Sequence, residues 1–167
     1  MKKYKLGEII DIFDFQRKPI SGFERIHSKG IYPYYGANGI IDYVEKPIFK
    51  GEYILFAEDG TVCSADFRPI VFLTKKNEEF WVNNHAHIFK AKQEICSNKY
   101  LFYNICTKNI KHIITGAVQL KINQENLKSL ELSVHNSDEQ QHIVNTNPIY
   151  IWVLIFLTIV SLHLQPT

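Results

Sequence analysis

Residues 30–44 concentrate aromatic rings and an amide beside turn-forming residues. Their proline excludes a helix interior, and Asn38 followed by Gly39 is a strong turn signal because both residues tolerate positive φ. We therefore expect Tyr34, Tyr35 and Asn38 near the tip of a stiff loop that opens into a sheet. Exposed rings could stack on nucleic acid bases, and the asparagine could pair with adenine in the major groove. The alternative is an aromatic hairpin that packs on its own core.

A second group of polar side chains interrupts an apolar stretch near the middle of the chain. We predict one strand over residues 80–89, in which Asn83, His85 and His87 share one face and Asn84 lies on the other. The two histidines could bind a metal ion, but the sequence signals no third ligand. A hydrogen-bonded surface group is the alternative, and asparagine and histidine side chains can also contact base edges.

The chain carries a slight basic bias near its start, although its net charge is only +2. Residues 16–29 read as an exposed, irregular loop that contains Arg17, Lys18 and Arg25. Such side chains form phosphate contacts on nucleic acids, while a solvated loop is the simpler interpretation. The overall charge does not by itself indicate a polyanionic partner.

The sequence offers little for catalysis. A metal-dependent nuclease needs clustered carboxylates, and the one inviting acidic pair, Glu58 and Asp59, precedes a glycine in what reads as a turn. A small nuclease that uses this pair with His85 and His87 is the remaining enzymatic alternative. We find no glycine-rich phosphate loop and no cofactor fingerprint. The three cysteines lack the spacing of a zinc site or a disulfide framework, so we expect no catalytic residue, cofactor or bound metal.

The pattern of elements indicates one mixed α+β domain, twisted and β-rich with short helices. At 167 residues, of which 46% are hydrophobic, the chain can bury one proper core. Apolar runs predict three further strands, over residues 51–57, 69–74 and 130–134. The polar residues 75–79 suit a hairpin connection between two strands. Helical spacing of apolar residues predicts two short helices, over residues 98–106 and 123–130.

The character of the chain changes after residue 136. Ser-Asp-Glu-Gln at residues 137–140 is a capping-box pattern with Ser137 as N-cap, which predicts a helix over residues 137–144. Residues 149–162 are almost wholly apolar and would span roughly 21 Å as a helix, short of a bilayer core. A membrane-attached or protein-interaction domain that uses this run is the alternative from a different class. Because the N-terminus does not resemble a signal peptide, we expect a cytoplasmic protein without membrane contact.

The order and spacing of several short motifs are similar to those of a known family. The motifs are, in chain order, Leu-Gly-Glu-Ile at 6–9, Tyr-Pro-Tyr-Tyr-Gly-Ala-Asn-Gly-Ile-Ile-Asp-Tyr-Val at 32–44, Gly-Glu-Tyr-Ile-Leu at 51–55, Glu-Asp-Gly at 58–60, Trp-Val-Asn-Asn-His-Ala-His at 81–87, Thr-Gly-Ala at 115–117, Leu-Lys-Ser-Leu at 127–130 and Glu-Gln-Gln-His-Ile-Val at 139–144. Together they resemble the target recognition domain of a type I restriction–modification specificity subunit, over about residues 4–144.

This resemblance implies a domain that reads one half of a bipartite site in double-stranded DNA. Methylation with S-adenosylmethionine would belong to methyltransferase (modification) subunits, and ATP-driven cleavage to a restriction subunit. The chain itself would be a non-catalytic component without a cofactor of its own. The tyrosine loop and the polar strand are then the expected reading surface. The candidate DNA-binding residues are Tyr34, Tyr35, Asn38, Asn83, Asn84, His85, His87, Arg17, Lys18 and Arg25.

The sequence departs from this family after the predicted C-terminal helix begins. The family continues that helix as a long spacer of mixed charge, whereas this chain has Pro148 and an apolar run. We therefore expect a truncated chain that has lost its spacer, with docking of the partner subunits as the property affected. The expected organisation is a recognition domain over residues 1–136, the start of a spacer helix over 137–144 and an atypical apolar tail over 145–167.

Overall fold

The structure of the protein is a computed structural model that describes residues 1–59 and 62–146. These residues form ten strands, β1 (Lys2–Lys5), β2 (Ile10–Ile12), β3 (Lys29–Gly36), β4 (Gly39–Val44), β5 (Phe49–Lys50), β6 (Ile54–Ala57), β7 (Val71–Leu73), β8 (Glu79–Val82), β9 (Ala86–Ala91) and β10 (Glu131–Val134). They also form four α-helices, α1 (Gly22–His27), α2 (Asn98–Cys106), α3 (Gln124–Ser129) and α4 (Ser137–Thr146). Three short 3₁₀ helices cover Leu6–Glu8, Asp14–Gln16 and Lys111–Ile113. The predicted mixed α+β class is confirmed.

The strands form two four-stranded sheets and one two-stranded ribbon. The first sheet has the antiparallel order β2-β9-β6-β7. The second has the order β4-β3-β8-β5, and β3 runs parallel to β8, with Tyr34 beside Trp81 and Tyr35 beside Val82. The ribbon pairs β1 with β10. Because β8 and β9 follow one another but lie in different sheets, the turn between them crosses from one sheet to the other.

Strand β6 separates two hydrophobic cores, because it is buried on both faces. Ile54 and Phe56 belong to the first core, which includes side chains of α2 and β10, whereas Leu55 belongs to the second. On β9, Phe89 and Ile88 divide in the same way. Full burial of each such side chain contributes about 1.5–3 kcal/mol. The pair β6–β9 is therefore the rigid centre on which the rest of the domain packs.

The second core is built mainly from aromatic rings. Phe49 stacks on Phe80 with ring centroids 5.5 Å apart, and Tyr53 meets Phe80 edge-on at 5.8 Å. Tyr35 adds a further edge contact to Phe80 at 5.7 Å. Such pairs stabilise a core beyond the burial of their area. The hairpin of β3 and β4 thus packs on its own core, which was the alternative interpretation of its aromatic sequence.

The turn predicted from Asn38 and Gly39 joins β3 to β4. The pair Gly36–Gly39 closes the hairpin, and Gly39 adopts a φ of +104°. At the other end of the hairpin, the register of β3 is interrupted by a bulge opposite Val44. The bulge brings Gly30 so close to the backbone of Val44 that a Cβ atom would overlap it.

Most predicted elements are confirmed, with small shifts at their ends. The hairpin predicted over residues 75–79 is wrong, because β7 pairs with β6, whereas β8 pairs with β3 and β5 in the other sheet. Helix α4 begins at Ser137, but its N-cap is the preceding residue. The side chain of Asn136 accepts a hydrogen bond from the N–H of Glu139 at 2.9 Å.

The predicted apolar tail over residues 145–167 lies outside the described residues except for its first two positions. The interpretations that depend on the tail, truncation and membrane attachment, stay predictions. Over residues 1–59 and 62–146, no helix combines the length and the apolar character needed to cross a membrane.

The close approach at Gly30 provides a test of the fold. Gly30→Ala is expected to lower the free energy of unfolding by about 1–3 kcal/mol, because its Cβ would overlap backbone atoms of Val44 and Glu45. Gly22→Ala is the matched control, since the nearest atom to its added Cβ is a side-chain nitrogen of Arg25 at 3.9 Å. Urea unfolding followed by circular dichroism measures both. Equal stability of the two variants would contradict the bulge described above.

Candidate nucleic-acid interface

Four chain segments meet at one edge of the two sheets. The segments are, in chain order, residues 37–38, 58–59, 83–85 and 115–121. The N–H of Asn83 donates to the carbonyl of Tyr35 at 3.0 Å, which holds the third segment beside the strand that leads into the first. The N–H of Glu58 donates to the carbonyl of His85 at 2.9 Å, and the carbonyl of Glu58 accepts from the N–H of Ile122 at 2.7 Å. We call these four segments the turn face.

The polar stretch in the middle of the chain forms a turn. The predicted single strand over residues 80–89 is wrong, because β8 and β9 are separate strands in different sheets. The buried side chain of Asn83 accepts a hydrogen bond from the N–H of His85 at 2.8 Å, which stabilises the turn. Asn83 and His87 are therefore interior residues, whereas Asn84 and His85 are exposed on the turn face.

His87 lies in the interior and forms hydrogen bonds with both ring nitrogens. Its Nδ1 lies 2.6 Å from the carboxylate of Asp14, and its Nε2 lies 2.8 Å from the carbonyl oxygen of Ile122. His87 and Asp14 therefore form a buried, hydrogen-bonded pair. Asp14 accepts two more hydrogen bonds, from the N–H of Ile88 and from the side-chain amide of Gln124.

These contacts decide the protonation of Asp14. Burial alone would raise the pKa of its carboxyl group. The hydrogen bond and the charge of His87, assisted by the two further donors, outweigh burial and hold the pKa below the ordinary value of 3.8. The fold therefore binds Asp14 as a carboxylate.

Arg17 lies against the buried pair of Asp14 and His87 and not in an exposed loop. Its guanidinium donates to the carboxylate of Glu58 at 2.6 Å and to the carbonyl of Ala86 at 2.9 Å. It also lies 3.5 Å from the carboxylate of Asp14. The prediction that residues 16–29 form an exposed, irregular loop is wrong here, because two shielded carboxylates require a counter-charge. Helix α1 orders a further part of the same segment.

The donor atoms of Asp14, Glu58 and His87 lie within 4.8 Å of one another, a spacing compatible with a metal site. This set does not fit a metal ion, because Arg17 neutralises the two carboxylates. In addition, both nitrogens of His87 are engaged, one by Asp14 and the other by Ile122, whereas a metal requires a free nitrogen lone pair. Two residues of the nuclease alternative, Glu58 and His87, are therefore engaged in the interior.

The other two residues of that alternative form a pair on the turn face. Nδ1 of His85 donates to the carboxylate of Asp59 at 2.6 Å. The carboxylate is largely shielded, while about half of the imidazole is exposed, with 13% and 49% of the two side chains accessible. Because Asp59 engages Nδ1, Nε2 is the remaining hydrogen-bonding atom of the half-exposed ring, and it has no partner among residues 1–59 and 62–146. This arrangement suits contact with a base edge or a phosphate.

The two tyrosines expected at the loop tip are interior residues of β3. Tyr34 is 1% exposed, and its hydroxyl accepts the N–H of Ile20 at 3.0 Å. The hydroxyl of Tyr35 donates to the carboxylate of Glu78 at 2.6 Å, and burial together with this carboxylate raises its pKa. The prediction that both rings are displayed for stacking is wrong, because Tyr35 packs in the second core and the ring of Tyr34 is buried beneath the guanidinium of Arg25. Asn38, in the turn itself, is exposed.

The two remaining candidate cations differ in their surroundings. Nε of Arg25 lies 3.2 Å from the carboxylate of Asp42, and its guanidinium lies over the ring of Tyr34, 5.2 Å from the centroid. Lys18 has an exposed side chain, while its carbonyl accepts from the indole of Trp81 at 2.6 Å. The predicted DNA-binding residues whose side chains are exposed are therefore Lys18, Asn38, Asn84 and His85.

Residues 115–121 add a loop to which the sequence analysis assigns no role in a site. The loop is closed by backbone hydrogen bonds between Thr115 and Lys121, and the backbone of Lys121 also forms an antiparallel β-bridge with that of Asp59. The sequence does contain a signal for this region. Residues 95–124 include four lysines and one histidine but no aspartate or glutamate. A segment of one charge sign is a feature of surfaces that meet polyanions.

Comparison with known proteins gives a consistent family. A family model described as the type I restriction modification DNA specificity domain matches residues 1–146. The chain is 32% identical over 139 residues to a Haemophilus influenzae protein assigned as a type I restriction enzyme specificity subunit, covering 83% of this chain and 34% of that protein. It is 24% identical over 143 residues to the EcoprrI specificity subunit of Escherichia coli, covering 85% and 34%. The chain thus spans about a third of the length of these curated relatives.

Solved structures share the fold. The crystal structure of a type I restriction–modification system S subunit from M. genitalium superposes with a TM-score of 0.71 at 17% identity, covering 93% of this chain and 40% of that one. A structure described for complex assembly and conformational transition of the type I restriction–modification system gives 0.63 at 14% identity, covering 97% and 41%. At these identities the likeness concerns the fold alone.

The buried carboxylate of Asp14 predicts a pH-dependent stability. Asp14→Asn is expected to lower the free energy of unfolding at neutral pH by about 3–5 kcal/mol, because it removes the buried negative charge that Arg17 and His87 face. Since the folded-state pKa of Asp14 is depressed, its stabilisation is present above 3.8 and is lost as the pH falls through the folded-state pKa. The difference between wild type and Asp14→Asn should therefore narrow in acid. Urea unfolding over a range of pH measures it.

Asp11→Asn is the control for this experiment, because Asp11 is exposed on the neighbouring strand β2. Its stability should stay close to that of the wild type at every pH. A deficit of Asp14→Asn that is the same at neutral and at acid pH would show that the Asp14 carboxylate is not the stabilising species.

Proposed function

Because this chain belongs to the family of type I restriction–modification DNA specificity domains, we propose that it reads a short base sequence in double-stranded DNA. Its target would be one half of a bipartite site, read by a recognition domain of a larger specificity subunit. The extent of the match supports a single recognition domain within a larger subunit, since the chain corresponds to about a third of each relative named as such a subunit.

The observation that carries the proposal is the convergence of amide and imidazole side chains on the turn face. Asn38 comes from one segment and Asn84 and His85 from another, and each of the two segments connects two strands. These side chains donate and accept hydrogen bonds, and every base pair presents a different pattern of donors and acceptors in the major groove. Strand ends hold them in fixed relative positions, which sequence readout requires.

Phosphate contacts would come from lysines around the turn face. Lys18, Lys111 and Lys121 are exposed. Arg17 and Arg25, which the sequence suggested for this role, form ion pairs within the domain. Because phosphate contacts supply most of the sequence-independent affinity, a turn face with few exposed cations among the described residues binds DNA weakly by itself. The remaining affinity would come from the linked parts of the assembly.

We assign methylation and cleavage to partner methyltransferase and restriction subunits, and to this chain a non-catalytic role in the cytoplasm. The interior positions of Glu58 and His87 support this assignment over the nuclease alternative. Helix α4 is the candidate docking element, since Ile143 and Val144 pack against the first core while its polar residues are exposed. Partners that recognise the helix would therefore meet a polar surface.

The chain should bind duplex DNA at micromolar concentrations or above, roughly the range of non-specific contacts, and more weakly as salt rises. Selection from a pool of random duplexes should enrich a short common sequence. The double variant Asn38→Ala, Asn84→Ala should reduce this enrichment but keep the salt dependence, because it removes base contacts and spares phosphate contacts. Fluorescence anisotropy and sequencing of the bound pool measure the two quantities.

Asn77→Ala is the matched control, because Asn77 is an exposed asparagine in the connection between β7 and β8, at the opposite end of β7 from the turn face. It should retain both affinity and enrichment. The proposal fails if the wild-type chain binds no DNA at low salt. It also fails if Asn77→Ala reduces enrichment as strongly as the double variant.

A further inference from the structure

We infer that the tip of the loop of residues 115–121 reads an A·T base pair in the major groove, with Val118 against the thymine methyl group and Gln119 on the adenine. This inference rests on the proposed function, because it identifies one base pair of the DNA target. It follows from the shape of the loop, the chemistry of its tip and the charge of the chain around it.

The loop is closed at its base by one antiparallel β-bridge, which holds its two arms side by side. The N–H of Thr115 donates to the carbonyl of Lys121 at 2.8 Å, and the N–H of Lys121 donates back to the carbonyl of Thr115 at 2.8 Å. The hydroxyl of Thr115 adds a third hydrogen bond to the same carbonyl at 3.0 Å. The major groove of B-DNA is about 12 Å wide and admits two adjacent extended segments, so it can accept a loop with two closely spaced arms.

The tip of the loop is a tight turn. Gly116 adopts a φ of +96°, which side chains of L-residues rarely tolerate. The carbonyl oxygen of Gln119 occupies the position that a Cβ atom on Gly116 would need. The chain therefore turns tightly between these two residues, and the two backbone hydrogen bonds between Thr115 and Lys121 close the loop behind the turn. Closing a loop in this way lowers the entropic cost of recognition.

The two residues at the tip carry the chemistry that an A·T pair requires. Val118 is 103% exposed, so its methyl groups have no packing role in the domain. Gln119 beside it is also exposed. In the major groove, thymine presents a methyl group to apolar side chains, and adenine presents N6 and N7 to a glutamine amide. Adjacent apolar and amide side chains thus match the two halves of one base pair.

The charge around the loop suits entry between two phosphate backbones. Residues 95–124 contain no carboxylate side chain. Exposed side chains flank the loop, those of Lys111, His112 and Lys121. Nζ of Lys121 lies 3.3 Å from a carboxylate oxygen of Glu58, so this lysine is partly neutralised. Exposed cations beside a groove-reading tip position it through phosphate contacts.

The base of the loop is anchored to the rest of the turn face. The backbone of Lys121 forms an antiparallel β-bridge with that of Asp59, whose carboxylate is hydrogen-bonded to His85. The tip and His85 are therefore parts of one surface and would address the same duplex.

The test combines protein variants with a change in the DNA, using the full chain and the duplex that it selects from a random pool. Replacing each thymine in turn by uracil removes only the methyl group. One replacement should weaken wild-type binding by about fourfold, the value of a single buried methyl group, and should have no effect on Val118→Ser. Gln119→Ala should lose roughly tenfold or more of the preference for adenine at the paired position.

Ile31→Ser is the control, because Ile31 is a strongly exposed apolar residue at the far end of β3 from the turn face. It should respond to uracil as the wild type does. The inference is overturned if no thymine is sensitive, or if Val118→Ser keeps the sensitivity, and the proposed function survives either result because a selected duplex exists. Failure of the wild type to select any duplex overturns both. Unchanged DNA preference with loss of methyltransferase binding in the two tip variants would identify a protein interface instead.

Discussion

The fold depends on a shielded group of charges in which Arg17 and His87 face Asp14 and Glu58. These residues come from a 3₁₀ helix, the segment that follows it, the end of β6 and strand β9. Charges removed from water are unfavourable unless every one is paired and hydrogen-bonded. The group is complete only when all of these segments are in place, so it ties the N-terminal part of the chain to the centre of the first sheet.

The same group explains why the turn face lies where it does. Glu58 and His87 point into the interior, while their near neighbours in sequence, Asp59 and His85, form an exposed pair outside it. The two aspartate–histidine pairs share their chemistry but differ in accessibility. In the buried pair, the protein satisfies both nitrogens of the imidazole. In the Asp59–His85 pair, one nitrogen of the imidazole is engaged, and the other has no partner in the described part of the chain. The buried pair fixes the backbone that carries the outer pair.

The sequence predicts those parts of the structure that follow from local pattern. The apolar periodicity of α2 and the turn at Gly39 are local, and both are recovered. The turn at Asn83 is missed because its residues alternate as a strand does, and only the pairing of β8 with a different sheet from β9 rules that out. Arg17 is misplaced because its partner Glu58 lies far away in sequence. The position of Tyr34 is predicted wrongly because an aromatic residue beside a turn can pack inward or expose its ring. The outcome depends on the segment that contains Ile20 and Arg25, which covers the ring.

A division between scaffold and surface also accounts for the pattern of similarity. A solved S subunit keeps this fold at 17% identity, so the fold persists although most aligned residues differ. Exposed side chains at turn tips contribute little to stability, typically within about 0.5 kcal/mol of neutral when substituted. Residues such as Asn38, Asn84 and Val118 can therefore vary without cost to the scaffold that presents them. This freedom is the physical condition under which one fold can be adapted to many base sequences.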